Sequence, residues 1–332
     1  MIISSSFKPA WWLPHAHLQT LWPALVSRGN GIVRQRERIQ TPDNDFLDVD
    51  WCGLELDSSN SPLVIIMHGL AGSSRSDYVT GLQEVLENQG WRSAALNFRG
   101  CSGTPNRAVR GYHSGETDDI HFLYQVLRER EPQTPLFVVG YSLGGNVLLK
   151  WMGEQQTLDL VGAVAVSVPF RLDLCADHMN QGFSRSYQYR LLRHMRSCVN
   201  LRLEYFQQNG LSQQAEQLQA LGQLSNYVSF RDIDHYVTAP LHDYHSADDY
   251  YQRCSSRAFL GLINRPTLII QAQDDPFMTK EVVPHDSELS VTTTLELSAS
   301  GGHIGFIEGS SPARIIYWLD QRISEWLGRL IG

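Results

Sequence analysis

The run Leu136-Phe137-Val138-Val139-Gly140-Tyr141-Ser142-Leu143-Gly144-Gly145-Asn146 decides the fold. Its first half is continuously apolar and partly β-branched, the composition of a strand buried on both faces. Residues 144–153 read as a short helix. Between them lies G-x-S-x-G, the pattern of a sharp strand-to-helix turn. In such a turn the serine takes a strained backbone conformation, and glycines two before and two after it remove Cβ atoms that would clash. The helix start beneath offers unpaired N–H groups and partial positive charge to a developing oxyanion. Ser142 is therefore the candidate nucleophile.

The same alternation extends in both directions. LVIIMHG (63–69), RSAALNF (92–98), LVGAVAVSV (160–168) and TLIIQA (267–272) read as buried strands, and TTTLELS (292–298) reads as the last strand. Helices are expected over 76–89, 116–130 and 312–331, the last with Pro near its start, where no helical N–H is lost. Ser114 or Thr117 would cap the second, with Asp118 and Asp119 as first-turn acids. Residues 33–40 and 46–53 alternate around the turn signal at 41–45, as in a hairpin. Alternating strands and helices imply an α/β architecture, a mostly parallel sheet with helices on both faces.

Two segments stand outside this rhythm. Residues 1–31 form an aromatic lead-in carrying Trp11, Trp12 and Trp22. Residues 171–258 are polar and aromatic, with helical stretches at 184–206 and 211–223. That length suits an inserted helical lid better than a structureless loop. The core is then 32–170 and 259–332. The lid's His235, Tyr236, His242, Tyr244, His245, Tyr250 and Tyr251 either wall an apolar acyl pocket or serve as packing.

A serine hydroxyl needs a base. In this arrangement the partners follow in the order Ser, acid, His. Of the histidines well downstream, His242, His245, His285 and His303, only His303 follows the last strand, in SGGHIGF (300–306), where glycines let a loop return to the serine. The acid lies in Gln273-Asp274-Asp275-Pro276, and either aspartate is eligible. The usual register selects Asp275, three residues past Ala272, and leaves Asp274 to shape the turn. The oxyanion hole is assigned to the backbone N–H groups of Leu70, after His68-Gly69, and Leu143. His68 precedes the nucleophile and reads as a structural loop histidine. NFRGCSG (97–103) reads as an ordinary loop beside the turn.

Composition bounds the partners. The 332 residues are 42% hydrophobic and 19% charged, with 27 Lys and Arg against 35 Asp and Glu, a net charge of −8. An acidic chain without basic runs is a poor nucleic-acid binder. Five cysteines, an odd number with no CxxC, argue against a disulfide framework or a zinc site, and no metal or other cofactor is expected. No secretory signal pattern is present, and the longest apolar run, 160–170, is too short for a membrane span. These features predict a cytoplasmic protein without an integral membrane segment.

The stretches HLQTLWP (17–23), HGLAGSS (68–74), NFRGCSG (97–103), YHSGETDD (112–119), GYSLGGN (140–146), DDPF (274–277) and GGHIGF (301–306) together resemble the α/β-hydrolase superfamily. The likeness is nearest to its YheT-type hydrolases, relatives of eukaryotic abhydrolase-domain lipases and yeast medium-chain ester synthase/esterases. It runs from about residue 10 to the C-terminus. The resemblance implies an α/β-hydrolase fold, a Ser142, Asp275, His303 charge relay, and hydrolysis of short- to medium-chain carboxylic esters as small-molecule substrates. An acyltransferase with the same acyl-enzyme is the alternative. A catalytically silent, ligand-binding member of the fold is a further one.

Overall fold

The computed structural model describes residues 1–26, 31–56 and 61–331. Residues 27–30 of the lead-in therefore lie outside the described residues. In chain order the elements are β1 (Ile2–Ser4), α1 (Ala16–Leu25), β2 (Gln35–Gln40), β3 (Phe46–Cys52), β4 (Leu63–Met67), α2 (Asp77–Asn88), β5 (Arg92–Asn97), α3 (Asp118–Arg130), β6 (Leu136–Tyr141), α4 (Leu143–Glu154) and β7 (Gly162–Val166). A helical stretch follows: α5 (Leu172–Met179), α6 (Ser184–Gln208), α7 (Ser212–Gln219), the short α8 (Phe230–Ile233) and α9 (Ala239–Leu241), and α10 (Ala247–Cys254). The chain then returns through β8 (Thr267–Ala272), β9 (Thr293–Ser298), β10 (Ile307–Ser311), β11 (Arg314–Tyr317) and α11 (Trp318–Gly328).

Nine strands form one sheet in the order β1-β9-β8-β7-β6-β4-β5-β3-β2. The β2–β3 and β3–β5 pairs are antiparallel, and every other pair is parallel. The two-residue period of a strand sorts the core into halves. Ile65 and Met67 of β4, with Val138 of β6, face α3 and α4 through Leu123, Leu127, Val147 and Leu148. Val64, Ile66, Phe137 and Val139 face α2 and α11 through Leu82, Leu86, Ile323 and Leu327. Burial on both faces explains why these strands read as continuous apolar runs.

The C-terminal segment corrects two expectations. TTTLELS is not the last strand, and residues 312–317 are not helical. Ile307 pairs with Tyr317 and Ser311 with Arg314 in an antiparallel hairpin, and the helix starts only at Trp318. Gly309, at φ +124°, makes the backbone irregularity that the hairpin needs. The reason is tertiary: Ile307, Ile315 and Tyr317 are covered by Ala10, Trp12, Leu13 and Trp22 of the lead-in. The lead-in is thus packed onto the C-terminal hairpin, with Trp12 edge-on to Trp22 at 4.8 Å. Phe7 packs edge-on against Phe306 and Trp318. A further short strand, β1, escaped the periodicity reading and adds in parallel to β9.

The start of α3 also differs from expectation. Thr117 stands at the N-cap position but makes no side-chain cap bond; its hydroxyl donates to Glu154, and the Glu116 carboxylate accepts the Asp118 N–H at 3.2 Å. Asp119 is buried and holds Arg99 at 2.7 Å, while Asp43 and Asp45 reach the same guanidinium at 2.8 and 2.9 Å. The 97–103 loop is therefore more than an ordinary connection. One buried cation ties the β2–β3 turn to the start of α3, and Arg99 is also among the residues that line the cavity containing Ser142.

Candidate active site

Ser142 sits between β6 and α4 at φ +52°, ψ −117°. For a residue with a Cβ this costs about 1–3 kcal/mol and persists only where the surroundings enforce it. The neighbours do so. A Cβ on Gly140 would lie 2.5 Å from the Gly144 carbonyl oxygen, and one on Gly144 would lie 2.6 Å from that of His68. The Ser142 N–H donates to the Val166 carbonyl at 2.8 Å, which anchors the turn to β7.

Three side chains named from the sequence meet here. His303 Nε2 is 2.9 Å from Ser142 Oγ, and His303 Nδ1 is 2.8 Å from Asp275 Oδ2. All three residues are buried. An ionised carboxylate only accepts, so Nδ1 carries the proton and Nε2 presents its lone pair to the serine hydroxyl. Asp275 is fixed in turn by the Phe277 N–H, which donates to Oδ1 at 2.9 Å. The Phe277 ring stacks on the imidazole at 4.0 Å between centroids. Asp274 faces elsewhere. Its Oδ1 accepts the Gly302 N–H at 3.0 Å, and burial pushes its carboxyl up from the ordinary range.

The loop carrying His303 is held from several sides. Gly302 adopts φ +61°, and a Cβ there would lie 2.5 Å from the Ala16 carbonyl oxygen and 2.6 Å from Thr20 Oγ1. The His303 N–H donates to Thr20 Oγ1 at 2.8 Å, and the Ile304 N–H donates to Ser167 Oγ at 3.1 Å. Gln19, buried beneath, accepts the Ile307 N–H and donates to the Leu13 and Ile307 carbonyls. Gln19 and Thr20 were not singled out from the sequence. The available signal was two adjacent polar residues inside the otherwise apolar LQTLWP, which is how a buried polar group that must be satisfied presents itself.

Leu70 and Leu143 line the same cavity as Ser142 and His303. Leu143 opens α4, so its N–H has no partner within the helix. The amides flanking Leu70 are taken: Gly69 N–H by the Tyr78 hydroxyl and Ala71 N–H by that of Tyr112, each at 3.0 Å. Gly69 lies tight against the nucleophile, since a Cβ there would lie 3.1 Å from that of Ser142.

The other histidines serve elsewhere. His68 is fully buried, donates from Nδ1 to the Gly69 carbonyl at 2.8 Å and accepts the Phe98 N–H at Nε2. Burial holds its pKa down to about 4, so it is a neutral structural group. His242 bonds the Thr238 carbonyl and the Gly111 backbone, while His245 and His285 are exposed.

The cavity is about 770 Å³. Its upper wall is the stretch between β7 and β8. Of the seven aromatic and histidine residues noted there, His242, Tyr250 and Tyr251 line it. Tyr244 packs behind them on Tyr250, and His235, Tyr236 and His245 are exposed. Among the described residues no group of His, Cys, Asp and Glu side chains could hold a metal ion. No helix among them is long and apolar enough to cross a membrane.

Comparison with known proteins agrees with this architecture. A family model for the alpha/beta hydrolase fold matches residues 62–310. The chain is 38% identical over 325 residues to YheT of Escherichia coli (strain K12), provisionally named an esterase, covering 98% of this chain and 93% of that one. It is 26% identical over 338 residues to mouse phospholipase ABHD3, covering 99% and 80%. Against the monoacylglycerol lipase of Saccharomyces cerevisiae it is 29% identical over 303 residues, covering 90% and 64%. Among solved structures the esterase Pf2001 of Pyrococcus furiosus superposes with a TM-score of 0.58 at 17% identity, covering 92% and 94%, a likeness of fold.

Proposed function

Since the chain belongs to the alpha/beta-hydrolase fold family, we propose that it is a carboxylic ester hydrolase working through a Ser142–His303–Asp275 triad and an acyl-enzyme. Ser142 Oγ attacks the ester carbonyl while His303 Nε2 takes its proton. Asp275 holds the imidazole tautomer and stabilises the imidazolium that forms. The Leu70 and Leu143 N–H groups receive the oxyanion. His303 then protonates the leaving alcohol. Water, deprotonated by the same imidazole, attacks the acyl-enzyme and releases the carboxylic acid.

The observation that carries this reading is the continuous hydrogen-bond chain from Ser142 Oγ through both His303 nitrogens to Asp275, opening on a cavity that Leu70 and Leu143 also line. The relatives named as a phospholipase and a monoacylglycerol lipase support acyl esters as the substrate class. A cavity of about 770 Å³ suits a short- to medium-chain acyl ester. Residues 171–258 act as the lid that sets its length.

The test is a series of p-nitrophenyl esters, from acetyl to palmitoyl, on wild type and Ser142→Ala. Activity peaking at one chain length and falling by several orders of magnitude in the variant supports the proposal. Comparable turnover by Ser142→Ala overturns it. Added alcohol in the same assay separates hydrolysis from acyl transfer by the products formed.

A further inference from the structure

Helix α6 crosses the cavity, and its lining residues recur at helical spacing: Tyr187, Leu191, Met195, Cys198 and Arg202. The stripe begins beside the triad, where Tyr187 packs on Phe277, the ring that stacks on His303. It is apolar through Leu191 and Met195. It ends on a guanidinium.

Arg202 is half-buried, and it lacks the carboxylate that an arginine so placed normally has. Among the described residues it forms no ion pair, and its one hydrogen bond is a long one, 3.4 Å, from Nη1 to the Arg110 carbonyl. Nε is enclosed and has no partner. The backbone of Gly111 closes one side, so near that a Cβ on this glycine would lie 3.0 Å from Nη1. Burial lowers the guanidinium to about 10.

The acids around it are already committed. Asp45 accepts from Arg99, Asn106 and the N–H groups of Arg107 and Ala108. Asp43 and Asp119 hold Arg99 and Arg110. Asp234, which also lines the cavity, is bonded by the Tyr251 and Thr238 hydroxyls, and its burial pushes it up to about 6. Arg196, also on α6, donates to the Tyr227 carbonyl. The charge of the already committed Asp45 offsets this desolvation only in part, and a cation so weakly matched is stabilised when a ligand supplies a counter-charge. Its planar fork matches a carboxylate or phosphate in a bidentate arrangement.

We propose that Arg202 is an anion subsite at the far end of the cavity, taking a carboxylate or phosphate that the ester substrate carries beyond its apolar part. The proposal rests on the ester-hydrolase reading and narrows its substrate to anionic amphiphilic esters. The acyl or alcohol portion lies along Leu191 and Met195, and the anionic group meets Nη1 and Nη2.

The test compares wild type, Arg202→Met and Arg202→Lys on two matched substrate pairs. One sets the p-nitrophenyl monoester of a dicarboxylic acid against the p-nitrophenyl ester of the corresponding monocarboxylic acid. The other sets a lysophosphatidic acid against the monoacylglycerol with the same chain. In one pair, the wild-type preference for the anionic member in kcat/KM falls at least about tenfold in Arg202→Met, chiefly through KM, with partial recovery in Arg202→Lys. The pair that responds identifies carboxylate or phosphate.

Melting measured alongside keeps a second readout. Inorganic phosphate raises the Tm of wild type and not of Arg202→Met, and Arg202→Met melts above wild type in its absence. A ratio unmoved in both pairs overturns the subsite, as does a variant that melts well below wild type and still responds to phosphate. If the protein hydrolyses no ester, charged or neutral, the ester-hydrolase reading fails, and the phosphate shift alone still decides whether Arg202 binds an anion.

Discussion

The Thr20 hydroxyl accepts the backbone N–H of His303 at 2.8 Å and donates its own proton to the Ala16 carbonyl at 2.8 Å. A lead-in helix near the start of the chain therefore holds the proposed base near its end. Thr20→Val keeps the shape and removes the acceptor, leaving a part-buried N–H unsatisfied at a cost of about 1–3 kcal/mol. The expected result is a fall in kcat of about tenfold with little change in KM, and recovery in Thr20→Ser. Steady-state kinetics beside thermal melting checks it. A parallel rise in KM would show that α1 acts on the cavity wall instead.

The two adjacent aspartates separate by geometry. Asp275→Asn can offer an amide N–H to Nδ1 and so favours the wrong imidazole tautomer. A loss of about three to four orders of magnitude in kcat follows if Asp275 is the triad acid. Asp274→Asn keeps an acceptor oxygen for the Gly302 N–H and is expected to lose less than about tenfold. Rate measurement on both variants with one ester decides, and a reversed order would transfer the role to Asp274.

Gly302 has neither the space nor the dihedral angle for a side chain. Gly302→Ala must displace the Ala16 carbonyl or Thr20, and in either case the His303 loop shifts. A destabilisation of about 2–4 kcal/mol is expected, with activity falling further than unfolding explains. The urea midpoint and the rate under fully folded conditions, measured together, distinguish a displaced loop from simple instability.

Glu116 provides a pH signature. Burial, reinforced by the Asp119 charge, pushes its carboxyl up to about 7 from an ordinary value near 4.5. Between those values the folded state holds more protons than the unfolded one. This group's contribution to stability therefore falls as pH rises through the window. Glu116→Gln mimics the protonated form and keeps the oxygen that accepts the Asp118 N–H. Relative to wild type it gains stability from pH 4.5 to 7, by on the order of 3 kcal/mol in total. Urea unfolding of both proteins across that range checks the sign, and a constant difference would contradict it.

What was legible in the sequence followed from local rules. The strands β4, β6 and β8 announced themselves because burial on both faces makes them continuously apolar, and Ser142 was marked by glycines that the turn cannot do without. Chain order pointed to His303 and to the Asp274-Asp275 pair, and the usual register after Ala272, not chain order, favoured Asp275. What stayed hidden depends on distant partners. RIIYWL carries enough apolar residues for either a strand or a helix, and packing against Ala10, Trp12, Leu13 and Trp22 of the lead-in selects the β10–β11 hairpin. β1 is three residues long and has no period to read. Arg99 looks like a loop arginine until Asp43, Asp45 and Asp119 converge on it, and Thr20 gains its meaning only when a loop some 280 residues later folds back onto it.

The central claim is that Ser142 becomes acylated. Acid quenching during turnover of a p-nitrophenyl ester, followed by mass spectrometry of the intact chain and its peptides, tests this most directly. The account predicts an acyl adduct on the peptide containing Ser142, accumulating in Asp275→Asn and absent from Ser142→Ala. Hydrolysis without any adduct, persisting in Ser142→Ala, would contradict it.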